Sequence, residues 1–130
     1  MELPHDPTQL PRHWQAHLGP LRGHRWPIRC GRRFSAQELD LLRQGLWPRD
    51  MDDRWAIWLG PDQVLRCWRS WTQTCIYEAA VGLGPDGTGA CAVLEVIDDP
   101  THYQRSTSDA SELDRFEGVL APVLGERRLG

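Results

Sequence analysis

Between Arg54 and Ile97 the chain repeats one pattern four times. The runs "RWAIWL", "VLRCWRS", "TCIYEAAV" and "ACAVLEVI" have the two-residue period of strands, and "GPDQ", "WTQT" and "GLGPDGTG" separate them. Such short connections rich in turn residues join antiparallel neighbours, because a parallel crossover needs a dozen residues or more. A four-stranded antiparallel meander is therefore the frame on which everything else must pack.

Two helices flank it. In "FSAQELDLLRQGLW", Ser35 is placed to cap the backbone at Glu38 while Glu38 reaches back, and Phe34 is placed to staple onto Leu39. Leu39, Leu42 and Leu46 mark one apolar stripe, Gly45 supplies a stop, and Pro48 lies beyond it. In "SDASELDRFEGVLA", Asp109 is read as the cap, with Glu112 at the third position and Leu113, Phe116 and Leu120 on one face. Pro122 is expected to end that helix. The expected class is α+β, a four-stranded antiparallel meander with helices packed on one face and the other face left available.

Residues 1–33 read differently. They hold five of the ten prolines and four of the five histidines. They are expected to form an irregular Pro/His/Arg-rich lead segment wrapped over the domain, with at most one helical turn at "PRHWQAH". Residues 34–130 are expected to form the single α+β domain. His13 and His17 have the i, i+4 spacing of two ligands on one helix face, with His24 as a third, but the glutamate of the H-E-x-x-H motif is missing, so no metal is expected.

Composition narrows the function classes. A chain of 130 residues buries one core. Its fifteen arginines with no lysine or asparagine reflect coding bias more than chemistry, and a net charge of −3 argues against a duplex-binding protein. Single-stranded nucleic acid stacked on an open sheet face is a weaker reading for the same reason. No stretch approaches the roughly 20 apolar residues that span a bilayer, and the N-terminus lacks the apolar run of a secretory signal. The cytoplasm is the expected address, with Cys30, Cys67, Cys75 and Cys91 as thiols outside any C-x-x-C pair.

One cluster stands out against an aromatic content of only 8%: "MDDRWAIW" and, shortly after it, "RSWT". If Gly60 faces Gln63 across the first turn, Trp55 lies opposite Trp68 and Arg54 opposite Arg69. Like charges face to face need an anion between them. That anion is either an internal carboxylate, from Asp50, Asp52, Asp53 or Glu78, or an external one held in the guanidinium forks with Trp71 or Tyr77 as a stacking wall. Trp71 sits in the connection itself, where it either plugs the core or stands out as a contact residue. Ser70 and Thr72 are candidate hydrogen-bonding groups, and "DDPTHYQ" is able to bring His102 and Tyr103 to the sheet edge. Ser70 and Cys75 have no base beside them in sequence, and "GLGPDGTG" lacks the lysine and helix of a phosphate loop, so no cofactor is expected.

The strings "MDDRW", "RSWT" and "CIYE", followed by an acidic-Pro loop ending in "HYQ" and an amphipathic helix, resemble a group of small bacterial α+β proteins over about residues 34–124. That group carries glycine after the threonine, where this chain has Gln73. The resemblance implies the fold and an association with bacterial ADP-ribosylation or toxin-neutralising systems. Two functions are expected from it and from the cluster. The first is a binding module, immunity-like or toxin-neutralising, that takes a protein partner through an Arg/Trp patch. The alternative is an enzyme or binder for a small anionic ligand, a nucleotide or ADP-ribose derivative, with phosphate on Arg54 and Arg69 and Glu78 or His102 as acid/base.

Overall fold

The computed structural model describes residues 3–125. After a 3₁₀ turn at Pro7–Gln9 come α1 (Leu10–Gln15), β1 (Arg25–Phe34), α2 (Ala36–Gln44), β2 (Trp55–Leu59), β3 (Val64–Arg69), β4 (Cys75–Ala80), β5 (Gly82–Leu83), β6 (Gly89–Ile97) and α3 (Asp109–Leu124). The fold is α+β with an antiparallel sheet, but the sheet has six strands rather than four, in the order β1-β6-β4-β3-β2 with β5 paired to β6. The expected meander survives inside it as β2-β3-β4-β6.

The extra long strand, β1, runs through the segment read as irregular. It carries Pro27, Gly31 and four arginines, a composition that an edge strand tolerates because one row of its backbone groups needs no ladder partner. Its register against β6 slips between Arg29 and Arg32 at a bulge, where Gly31 has φ +65°, a conformation open to glycine.

The helix caps follow local chemistry. The Ser35–Glu38 capping box is present, and α2 ends at Gly45 with φ +83°, where an added Cβ would meet the Trp47 ring at 2.8 Å. Ser108, not Asp109, caps α3 by accepting from Ser111 N–H. Pro122 lies inside the helix rather than ending it. It falls in the last turn, where its missing N–H costs one bond, and Gly125 in the left-handed region closes the helix.

The β2–β3 turn also departs from expectation. Gln63 adopts φ +63°, and Gly60 N–H bonds Val64 O (3.2 Å), so Gly60 pairs with Val64 rather than Gln63. This one-residue slip sets Trp55 opposite Arg69 and Ala56 opposite Trp68. Neither the Trp55–Trp68 pair nor the Arg54–Arg69 pair exists as cross-strand partners; Arg54 O instead accepts from Ser70 N–H at 2.9 Å. A left-handed glutamine is strained, and its buried side-chain oxygen has no hydrogen-bond partner among the described residues. Gln63→Gly is therefore expected to stabilise the chain by about 1 kcal/mol, read as a higher urea midpoint at unchanged slope; a lower midpoint would refute the strain.

Both faces of the sheet are largely covered, with Leu83 of β5 and Val93 of β6 left exposed. On the helix side, Leu39, Leu42, Ile57, Leu94, Phe116 and Leu120 belong to one fully buried cluster. The opposite face is not free, as expected of it, because the lead segment lies across it. Trp68 Nε1–H donates to Gly19 O (2.6 Å), Leu21 N–H donates to Glu78 Oε2 (2.9 Å), and Trp14 and Leu10 cluster with Trp47 and Trp58. Tryptophans that could have stacked nucleobases on an open sheet are thus partners of the chain's own N-terminal segment.

Candidate functional site

The strings "MDDRW" and "RSWT" meet at the end of the sheet formed by β2 and β3. The β3–β4 loop closes with Gln73 N–H on Arg69 O (2.7 Å) and Arg69 N–H on Thr74 O (2.9 Å). Gln73 holds φ +62°, the conformation for which glycine is the natural choice at this position. Two further bonds tie this loop to the one before β2: Ser70 Oγ–H donates to Asp53 O (2.7 Å) and Trp71 Nε1–H to Met51 O (2.8 Å). Trp71 is held at one end while its ring stays outside, 70% exposed beside Met51 at 71%. Of the two fates open to this loop tryptophan, standing out is the one observed.

Arg54, Arg69, Trp71, Thr72 and His102 line one pocket of about 300 Å³. His102 reaches it from the turn after β6, where its backbone N–H bonds Asp99 O (3.0 Å) and its imidazole lies 3.9 Å from the Asp99 carboxylate. Five of the nine residues singled out from sequence thus come together. The other four do not face this space: Ser70, Tyr77, Glu78 and Tyr103 are all buried.

The carboxylates that were candidates to neutralise Arg54 and Arg69 are engaged elsewhere or leave them unpaired. Glu78 binds Arg25 (2.6 Å) and Arg66 (2.8 Å) on the lead-covered face, Asp53 binds Arg49 (3.4 Å), and Asp50 accepts from Asp52 N–H. Burial pushes Glu78 upward, but the Leu21 N–H and the two guanidinium groups outweigh it and hold its carboxyl below the ordinary value. It is a structural anion, with no proton to exchange near the pocket. Among the described residues neither Arg54 nor Arg69 pairs with a carboxylate.

For Arg69 this is notable because of where it sits. Among the described residues three arginines are half-buried: Arg32, Arg66 and Arg69. Arg32 is paired to Glu117 (2.7 Å), and Arg66 to Glu78 and Asp62 (3.0 Å). Arg69 instead lies against two rings, 5.0 Å from the Trp55 centroid and 5.8 Å from Tyr103, and its sealed Nε–H has no acceptor among the described residues. Aromatic faces stabilise a cation by about 0.5–2 kcal/mol but supply no hydrogen-bond acceptor.

Behind Arg69 is a buried polar cluster that the sequence reading missed. The Tyr77 and Tyr103 hydroxyls both donate to Glu112 Oε2 at 2.5 Å, Ser106 N–H donates to Glu112 Oε1 (2.7 Å), and Arg115 Nη1–H donates to the Tyr103 oxygen (2.7 Å). Trp55 stacks on Tyr77 at 6.0 Å and Phe116 meets it edge-on at 5.2 Å. Burial, then the bond to Glu112, pushes both phenols up, so they stay protonated donors. Glu112 stands at the third position after the expected cap, yet it precedes Phe116 by four residues and so falls on the apolar stripe. A carboxylate on such a stripe is the available signal for a buried polar network.

The arrangement is suited to binding. Ser70 Oγ is committed to a backbone carbonyl, and burial pushes the Cys75 thiol up to about 12, which removes it as a nucleophile. Among the described residues no group of three or more His, Cys, Asp or Glu is placed to hold a metal ion, and no helix is long and apolar enough to cross a membrane. No family model matches this chain, and no match to it was found among curated proteins or among solved structures.

Proposed function

We propose that this chain binds a phosphorylated small molecule, such as a nucleotide, in the pocket between the "MDDRW" and "RSWT" loops. The observation that carries the reading is Arg69, half-buried in the pocket lining with no carboxylate partner among the described residues, when the two comparably buried arginines each have one. A phosphoryl group is the acceptor whose shape and charge fit a guanidinium fork. Arg54 adds a second cation, Thr72 and His102 offer polar groups, and the exposed Trp71 ring offers a face to a base. The volume, about 300 Å³, suits one ring and its phosphate.

A thermal-shift series with nucleoside monophosphates, nucleoside diphosphates and ADP-ribose, each against its unphosphorylated nucleoside, tests this. A ligand at a hundredfold excess over its Kd adds about 2.7 kcal/mol, or roughly 10 °C for a domain of this size. The phosphorylated compounds are expected to stabilise and the nucleosides to do so far less. No shift with any phosphorylated compound would reject the reading.

The protein-partner reading, immunity-like or toxin-neutralising, is favoured by a separate observation. Met51 and Trp71 are both about 70% exposed and border a second groove of about 370 Å³ with Leu3, Trp14 and Pro48. Exposed tryptophan beside arginine is the composition of interface hot spots. A partner captured by the wild type and lost with Trp71→Ala, together with a silent ligand series, would move the conclusion to this reading.

A further inference from the structure

The edge strand opposite β2 carries a second feature, independent of the pocket. At the β1 bulge, Cys30 lies beside Cys91 of β6 with 3.6 Å between the sulfurs, and the Cys91 thiol donates to Cys30. Cys30 is half-buried and lines a shallow cleft with Arg32, Leu113, Asp114 and Glu117, whereas Cys91 is fully enclosed. The other two cysteines, Cys67 and Cys75, are buried in the core.

The bulge matters to the chemistry. A disulfide needs its sulfurs at about 2.05 Å, so the pair must close by about 1.5 Å. A regular ladder resists such movement, but here one extra residue loosens the strand, and Gly31 has backbone freedom that other residues lack. The bond from Cys91 is the main influence lowering the Cys30 thiol, to about 7, with the Arg32 N–H and charge adding to it against burial and Glu117. The same bond and burial push Cys91 up. One thiol is therefore ready to be a thiolate at neutral pH, and its neighbour holds a proton.

We propose that Cys30 and Cys91 form a peroxide-reactive dithiol, with Cys30 as the attacking sulfur and Cys91 as the resolving one. The Cys30 thiolate attacks a hydroperoxide, the O–O bond breaks, and the alcohol or water leaves with Cys30 oxidised to a sulfenic acid. The Cys91 sulfur then attacks the Cys30 sulfur, the S–S bond forms, and the hydroxyl leaves as water with the Cys91 proton. A reducing dithiol returns the pair to thiols and is itself oxidised to a disulfide.

The test is hydrogen peroxide titration of the full chain, followed by thiol alkylation and peptide mapping. One equivalent is expected to link Cys30 to Cys91 with loss of two hydrogens, reversibly by dithiothreitol, while Cys67 and Cys75 stay unreacted until the chain is unfolded. Cys30→Ser should slow peroxide consumption at least a hundredfold. Cys91→Ser should keep the first step and leave a sulfenic acid on Cys30 that dimedone traps, with slow alkylation of Cys67 and Cys75 confirming that this variant is folded. Peroxide consumption unchanged in Cys30→Ser, or oxidised protein linked only between molecules, would overturn the proposal.

Discussion

Glu112→Ala is expected to lower the unfolding free energy by about 3–5 kcal/mol, the range for removing the ionised member of a buried, hydrogen-bonded network. The carboxylate is wholly enclosed and accepts from two phenols and the part-buried Ser106 N–H, so its loss removes the acceptor of three donors, of which only one phenol can turn to the other (2.9 Å between their oxygens), and opens a void beside Phe116. Tyr103→Phe removes one hydroxyl and should cost only about 1–2 kcal/mol. If Glu112→Ala unfolds at the wild-type urea midpoint, the network contributes nothing to stability.

The same group sets an acid limit. Burial pushes Glu112 up, but the Ser106 N–H, the two hydroxyls and the Arg115 charge outweigh it, leaving its pKa below the ordinary 4.5. Glu78 is lowered likewise. A carboxyl with a lower pKa in the folded chain contributes stability that is complete above about 4.5 and is lost as pH falls through the folded value. Urea midpoints measured from pH 7 down to pH 3 should therefore fall in the acid range. The fall should be shallower in Glu112→Gln, which starts less stable and has no proton to take up. A rise in stability on acidification would contradict the signs of both shifts.

Arg69→Ala is the second large effect, and it falls on binding. Charge-assisted hydrogen bonds contribute about 1.5–3 kcal/mol each, so a phosphorylated ligand should lose about 10- to 150-fold in affinity. Arg69→Lys keeps the charge but not the fork and should recover only part of this. Because Arg69 also packs on Trp55 and Tyr103, some loss of stability accompanies it. Arg54→Ala supplies the clean comparison: the residue is exposed and has no carboxylate partner among the described residues, and surface changes of this kind stay within about 0.5 kcal/mol of wild type. Equal affinity in wild type and both alanine variants would place the ligand elsewhere.

What could be read from sequence is what local spacing decides. Ser35 and Glu38 lie three residues apart and find each other within one helical turn, so the capping box needs no tertiary information. The strands after Arg54 show as short runs of β-branched, aromatic and small apolar residues bounded by turn residues, although β4 is buried on both faces and does not alternate. β1 hides because an edge strand is allowed arginines, a proline and a bulge, which erase the alternation. The register error has a single cause, Gln63 in a left-handed conformation that turn rules reserve for glycine or asparagine, and it changed which residue faces Arg69. Arg54, Arg69, Trp71 and Thr72 come together whichever register holds, because Arg54 precedes β2 while Arg69 ends β3 and Trp71 and Thr72 follow it, and the β2–β3 pairing brings these positions to one end. For Glu112 the sequence offers only its place on the apolar stripe, four residues before Phe116; which phenols it meets is decided by the tertiary fold.

The most direct measurement is a calorimetric titration of pyrophosphate into the wild type, Arg54→Ala and the Arg54→Ala/Arg69→Ala double variant, at two salt concentrations. Wild type should bind one equivalent with an affinity that weakens as salt rises, with a partial loss in the single variant and a loss of at least thirtyfold in the double. Binding that is unchanged in the double variant, or no saturable heat in the wild type at millimolar pyrophosphate, would contradict a phosphate site built on Arg69.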